Sequence, residues 1–153
     1  MNRNDFLKSG GVILVCACGT SFLGACKTIT GNSDTPELPE NKFEVRNGKV
    51  VMDLNVIPDL AAEGSSVKFK IPSRELKIIV VRTGKDSFAA LRDQCTHMGR
   101  ELEYDHIQSV FRCVSFGHSK FDNSGLRIKG PAKSNLDRYP VFFNRGILEI
   151  KIT

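Results

Sequence analysis

The sequence predicts an all-β domain, a small antiparallel sandwich or barrel. Three observations carry that expectation. Apolar and polar residues alternate with a period of two in short runs, turn residues separate those runs, and no stretch of the body sustains a helical period. The chain has 153 residues, 41% hydrophobic and 25% charged. This suits one globular domain and argues against a multidomain enzyme or a disordered chain. A body of this size can bury a core without disulfides.

The strands follow from the start of the body, placed at residues 42–153. Lys49-Val50-Val51-Met52-Asp53-Leu54 is rich in β-formers. Val67-Lys68-Phe69-Lys70-Ile71 alternates apolar and basic residues, the pattern of a half-buried strand. Lys77-Ile78-Ile79-Val80-Val81-Arg82 is a continuous apolar run and suits a central strand. Gly84-Lys85-Asp86 turns the chain into Phe88-Ala89-Ala90-Leu91-Arg92. Glu101, Glu103 and Asp105 alternate, as on a solvated strand face. Val110-Phe111-Arg112 leads to Cys113, and Asp122-Asn123-Ser124-Gly125 turns into Leu126-Arg127-Ile128. Val141-Phe142-Phe143 and Ile147-Leu148-Glu149-Ile150 flank Asn144-Arg145-Gly146, a hairpin signal. The adjacent Phe142 and Phe143 suit edge and core packing rather than a binding patch.

The first quarter of the chain reads differently. Arg3 and Lys8 precede the apolar run from Val12 to Cys18, which is short and bounded by glycines on both sides. Leu23-Gly24-Ala25-Cys26 has the pattern of a bacterial lipoprotein lipobox, in which the cysteine is lipidated and becomes N-terminal. Residues 1–25 are therefore expected to be a lipoprotein signal peptide. Residues 26–41 are expected to be the lipidated Cys26 and a flexible polar tether with two prolines. Arg3-Asn4-Asp5-Phe6-Leu7-Lys8 also resembles a twin-arginine export signal with one arginine replaced by Asn4; an ordinary secretory signal is the alternative. The expected location is the bacterial cell envelope, as an exported membrane-anchored lipoprotein. The net charge of +5 is spread along the body, which suits a solvated surface, an anionic membrane or an acidic partner better than nucleic acid.

The chain has five cysteines and three histidines. With the leader set aside and Cys26 assigned to lipid, Cys95 and Cys113 remain, and every histidine lies between positions 97 and 118. Cys95-Thr96-His97 places a thiol and an imidazole on one loop, and Cys113 and His118 form a second pair. Two Cys and two His from two loops can hold zinc or a mixed-ligand iron–sulfur cluster. His106 lies in the variable stretch between the pairs. No nucleophile–base arrangement, phosphate-binding glycine loop or carboxylate pair stands out.

Cys95-Thr96-His97-Met98-Gly99 resembles the first cluster loop of Rieske proteins. Phe111-Arg112-Cys113 through Gly117-His118-Ser119-Lys120-Phe121-Asp122 resembles the second. Gly130-Pro131-Ala132, Leu136, Tyr139-Pro140 and Val141 look like the proline loop and last strands of that family. The resemblance runs from about position 67 to 152 and implies a Rieske-like β sandwich or barrel with a cluster-binding subdomain. It implies a [2Fe-2S] cluster with Cys95 and Cys113 on one iron and His97 and His118 on the other. It further implies one-electron transfer with a redox partner protein or membrane oxidoreductase, by a carrier or subunit rather than a stand-alone enzyme.

Two departures accompany the resemblance. High-potential members carry a disulfide between the cluster loops, and its positions correspond here to Arg100 and Ser115. The disulfide-free branch and a lower potential are then expected. The family's second loop runs Cys-x-x-His, but Phe116 lies three residues after Cys113 and the histidine five after, at His118; Val114 replaces the usual proline. A cluster-free structural or binding module on the same fold, and a small electron-donor subunit of a larger oxidoreductase, are the alternatives. Without a cluster, Cys95 and Cys113 could pair as a disulfide.

Overall fold

The computed structural model describes residues 34–153. The expected signal peptide, Cys26 and the tether up to residue 33 lie outside the described residues. Twelve strands follow in chain order: β1 (Glu44–Arg46), β2 (Lys49–Asp53), β3 (Ser66–Ile71), β4 (Leu76–Gly84), β5 (Ser87–Arg92), β6 (Leu102–Asp105), β7 (Val110–Cys113), β8 (Lys120–Phe121), β9 (Arg127–Lys129), β10 (Arg138–Tyr139), β11 (Val141–Asn144) and β12 (Ile147–Lys151). They form three four-stranded sheets in the orders β1-β2-β12-β11, β10-β5-β4-β3 and β6-β7-β8-β9. Every pairing between these strands is antiparallel, and the only helical pieces among the described residues are single 3₁₀ turns.

The sheet containing β4 lies between two cores because alternate residues of a strand face opposite sides. Ile78 and Val80 join Val67, Phe69, Val50, Met52, Leu148 and Ile150 in one core. Ile79 and Val81 join Ala89, Leu91, Leu102, Phe111, Phe121 and both cysteines in the other. This explains the continuous apolar run in β4, since a strand buried on both faces has no polar side. Register settles the less obvious case of Lys68. It stands opposite Ile79, whereas Val67 and Phe69 stand opposite Val80 and Ile78. The alternation of β3 suggested a solvated basic face, but Lys68 is buried because a further layer covers that face.

Turn chemistry sets the hairpins. Arg145 and Gly146 have positive φ values of 46° and 82° between paired Asn144 and Ile147, the two-residue hairpin expected there. Asn47 and Gly48 do the same between β1 and β2, with φ values of 49° and 70°. That Asn-Gly pair is the sequence signal for β1, whose three residues are all exposed and show no alternation. β8 and β10, of two residues each, are likewise too short to carry a period. Phe143 packs against Phe88 with ring centroids 5.1 Å apart, and Phe142 stays exposed on the edge strand.

The last residues of the stretch read as a tether lie on the body. The Leu38 amide donates to the Lys68 carbonyl at 2.7 Å, the Lys68 amide donates to the Pro36 carbonyl at 2.8 Å, and Leu38 is buried in the first core. One apolar side chain and an available strand edge suffice to seat these residues. Leu148, fully buried in that core and remote from both cysteines, should report on it alone. Leu148→Ala is expected to cost about 2–5 kcal/mol in urea unfolding; a loss below 1 kcal/mol would contradict the two-core description.

Candidate metal centre

The second core carries the chemistry-bearing residues on two loops. Residues 93–101 connect β5 to β6, and residues 114–119 connect β7 to β8. The first loop closes on itself: the Cys95 amide donates to Arg100 O at 2.7 Å and the Gly99 amide to Cys95 O at 2.8 Å. Gly99 turns this loop with φ of 67°. The second loop begins at Cys113, which ends β7 opposite Leu102. It is pinned by Cys113 N to Ser119 O at 2.8 Å and by Val114 N to Glu101 O at 3.1 Å. The Gly130-Pro131-Ala132 loop locks against both. Thr96 donates its hydroxyl to Ser134 O at 2.7 Å, and the Ala132 amide donates to buried Ser119 Oγ at 2.9 Å. Any Cβ at Gly130 would come within 2.5 Å of the Ser119 Cα, so only glycine permits this approach.

Cys95 and Cys113 are buried free thiols. Burial pushes the Cys95 thiol above its ordinary value; the amide of His97 opposes this, neighbouring Cys113 adds to it, and the Ser119 hydroxyl also opposes it. Ser115 Oγ stands 2.9 Å from Cys113 Sγ. The two sulfurs therefore share one pocket and have hydrogen-bond donors of the kind that support thiolate ligands. His97 is half-buried, and its Nδ1 is buried without a hydrogen-bond partner. An orphaned imidazole nitrogen two residues from a buried thiol is a free ligand atom.

His118 is placed differently. It is exposed, has φ of 41°, and its Nδ1 lies 3.1 Å from Cys113 O. Phe116, at the position the family motif gives to histidine, is 98% exposed. His106 stands on the turn between β6 and β7, where its ring covers Gly64; it belongs to another part of the surface. Among the described residues no three His, Cys, Asp or Glu side chains converge as a single metal ion would require. A two-iron cluster divides its ligands between two metals, and Cys95, Cys113 and His97 suit that demand. The contact with Cys113 O engages only Nδ1 of His118, so Nε2 is the ring nitrogen that would serve as its ligand atom.

Sequence reasoning missed the charged groups under these loops. Glu101 and Glu103 are not simply solvated. Glu101 meets Lys68 at 3.1 Å and Lys77 at 3.5 Å, and Glu103 meets Arg112 at 3.0 Å and accepts from the Asp34 amide at 3.0 Å. Burial raises the Asp93 carboxyl against the pull of the Lys68 ammonium. Burial also acts on Glu101, but there Lys68 and Lys77 prevail and hold the carboxyl low. The lysines come from β3 and β4, so no local pattern signals these pairs.

The molecule is thus an antiparallel β domain with two cysteine-bearing loops locked by a Gly-Pro loop. The Rieske [2Fe-2S] domain model matches residues 50–140, and the chain belongs to that family. The fold recurs in solved structures. The ferredoxin of carbazole 1,9a-dioxygenase from Nocardioides aromaticivorans IC177 is 19% identical, with 67% of this chain and 95% of that one covered at a TM-score of 0.55. The plasma membrane Rieske protein PetC3 of the cyanobacterium Synechocystis PCC 6803 is 24% identical, with 56% and 85% covered at 0.49. The quaternary ammonium Rieske monooxygenase CntA is 18% identical, with 63% of this chain and 29% of that one covered at 0.50. No curated protein matches. The family supports a Rieske-type electron-transfer role, and its domain implies a [2Fe-2S] cluster.

The turn that follows the second loop gives a pH test. Burial pushes Asp122 up, but hydrogen bonds from the Ser124 hydroxyl and from the amides of Leu126, Ser124 and Gly125 outweigh it and hold the carboxyl below its ordinary value. A depressed carboxyl stabilises the fold above its unfolded-state pKa, and that contribution fades as pH falls through the folded value. Asp122→Ala is expected to cost about 1 kcal/mol at pH 7. Its deficit should narrow on acidification; a pH-independent deficit would show that the charge contributes nothing.

Proposed function

We propose that this protein is an exported, lipid-anchored Rieske-type electron carrier that holds a [2Fe-2S] cluster through Cys95, Cys113, His97 and His118. The observation that carries the reading is the pair of buried free thiols in one core, with an unpartnered buried Nδ1 on His97, two residues from Cys95. When bound, such a cluster takes up and returns one electron. The chain's own residues would hold the thiolates in a dry core. The His97 amide and the Ser119 hydroxyl would donate to Cys95, and the Ser115 hydroxyl to Cys113. Arg100 and Ser115 stand where a high-potential member would carry its disulfide, which supports a potential toward the lower part of the family's range. Partners are a redox protein or membrane oxidoreductase. The lipobox at residues 23–26 supports anchoring through Cys26 at the cell envelope.

One observation favours a second reading, a cluster-free module on the same fold: among the described residues no three metal-ligating side chains converge, and the Nδ1 of His118 rests on Cys113 O. Iron analysis and EPR of the full chain, produced where clusters assemble, separate the two. The carrier reading expects two irons per chain and, on reduction, a rhombic signal that His118→Ala abolishes. Iron-free, EPR-silent protein would refute it. The anchor has its own test. A labelled fatty acid fed to the producing bacteria should enter the wild type and not Cys26→Ser; equal labelling would overturn the lipidation.

A further inference from the structure

Three charged side chains close the base of the first loop from inside. Lys68 Nζ lies 3.2 Å from Asp93 Oδ2 and 3.1 Å from Glu101 Oε2. These carboxylates bracket the segment carrying Cys95 and His97, one before it and one after. The Lys68 and Asp93 side chains are 7% and 3% exposed. The other Asp93 oxygen accepts the Leu102 amide at 2.6 Å, fixing the start of β6, and the other Glu101 oxygen faces Lys77 at 3.5 Å. The backbone that presents the ammonium is itself held on both sides, by Pro36 O and the Leu38 amide.

A lysine is costly here. Its position faces Ile79 and the second core, where an apolar side chain would avoid the desolvation that a buried ion pair incurs. An apolar residue could not join the two ends of the loop. The ammonium attracts both carboxylates to one point and neutralises charges that would otherwise repel each other behind the cysteine.

We infer that Lys68 is a positioning residue for the metal centre: its ammonium clasps Asp93 and Glu101 and thereby sets the placement of Cys95 and His97. The inference rests on the proposed cluster-binding reading, but the clasp itself can be tested with or without iron. Its ammonium also offsets the carboxylates at the base of the first loop, and losing it would leave negative charge there that disfavours the more negative, reduced form of a bound cluster.

The test uses the full chain with Lys68→Met, Lys68→Arg and, as a destabilised reference with its change in the other core, Leu148→Ala. In iron-free protein, alkylation of Cys95 by iodoacetamide is followed by mass spectrometry. Lys68→Met is expected to react about tenfold faster than Leu148→Ala, because the loop opens locally rather than through global unfolding. Lys68→Arg should restore most of the protection. In iron-loaded protein, Lys68→Met should lower the midpoint potential and change the EPR g values, while Leu148→Ala leaves both unchanged. If Lys68→Met does not fold, Glu101→Gln removes one arm of the clasp and should show a smaller acceleration in the same direction. Alkylation of Lys68→Met, or of Glu101→Gln in its place, no faster than the reference would overturn the inference. A wild type that holds no iron would sink the carrier reading while leaving the alkylation result to decide the clasp.

Discussion

The constraint on which the rest of the structure depends is the burial of β4 on both faces. Because side chains alternate, Ile78 and Val80 must enter one core while Ile79 and Val81 enter another. Neither core can form without a sheet to cover it, so one strand requires both outer sheets. The first core is purely apolar packing around Phe69, Met52 and Leu148. The second admits two cysteines, and this separates scaffold from chemistry along a single strand.

The two faces meet in one residue, Lys68. Its neighbours Val67 and Phe69 belong to the first core, while its ammonium reaches across to the loop that carries Cys95 and His97. The clasp is a long-range device within a domain whose turns are otherwise local. On the opposite side, Gly130 allows the proline loop to touch Ser119, and Thr96 ties that loop to the first. The cysteine-bearing loops are thus braced from beneath by charge and from above by backbone proximity. Water exclusion follows from this bracing, since both sulfurs are buried although each lies at or within a loop.

Much of the fold was legible in the sequence. The alternation in β3 and β9, the unbroken apolar run of β4, the turn into β5 and the Asn144-Arg145-Gly146 turn before β12 each named an element correctly to within a residue or two. β8 and β10 were harder, because strands of two residues hold too few side chains for a period. β1 could be found only through Asn47-Gly48. At the site, Cys95 and Cys113 were singled out by spacing, and both side chains lie in the second core. The burial of Lys68 and the partners of Glu101 were not legible, because charge alternating with apolar residues looks the same whether or not another layer covers it.

The sequence by itself determined the family, the pairing of a cysteine and a histidine on each of two loops, and the two-residue displacement of His118 from the family spacing. These are properties of residue order, readable without coordinates. Only the tertiary structure decided that His97 keeps a free Nδ1 while His118 turns its own toward Cys113 O. It also decided that β3 delivers a cation between Asp93 and Glu101. The physical reason is common to both. Which nitrogen is free and which charge is buried depend on sheet register and on the layer packed above, and those are set by contacts between residues far apart in the chain.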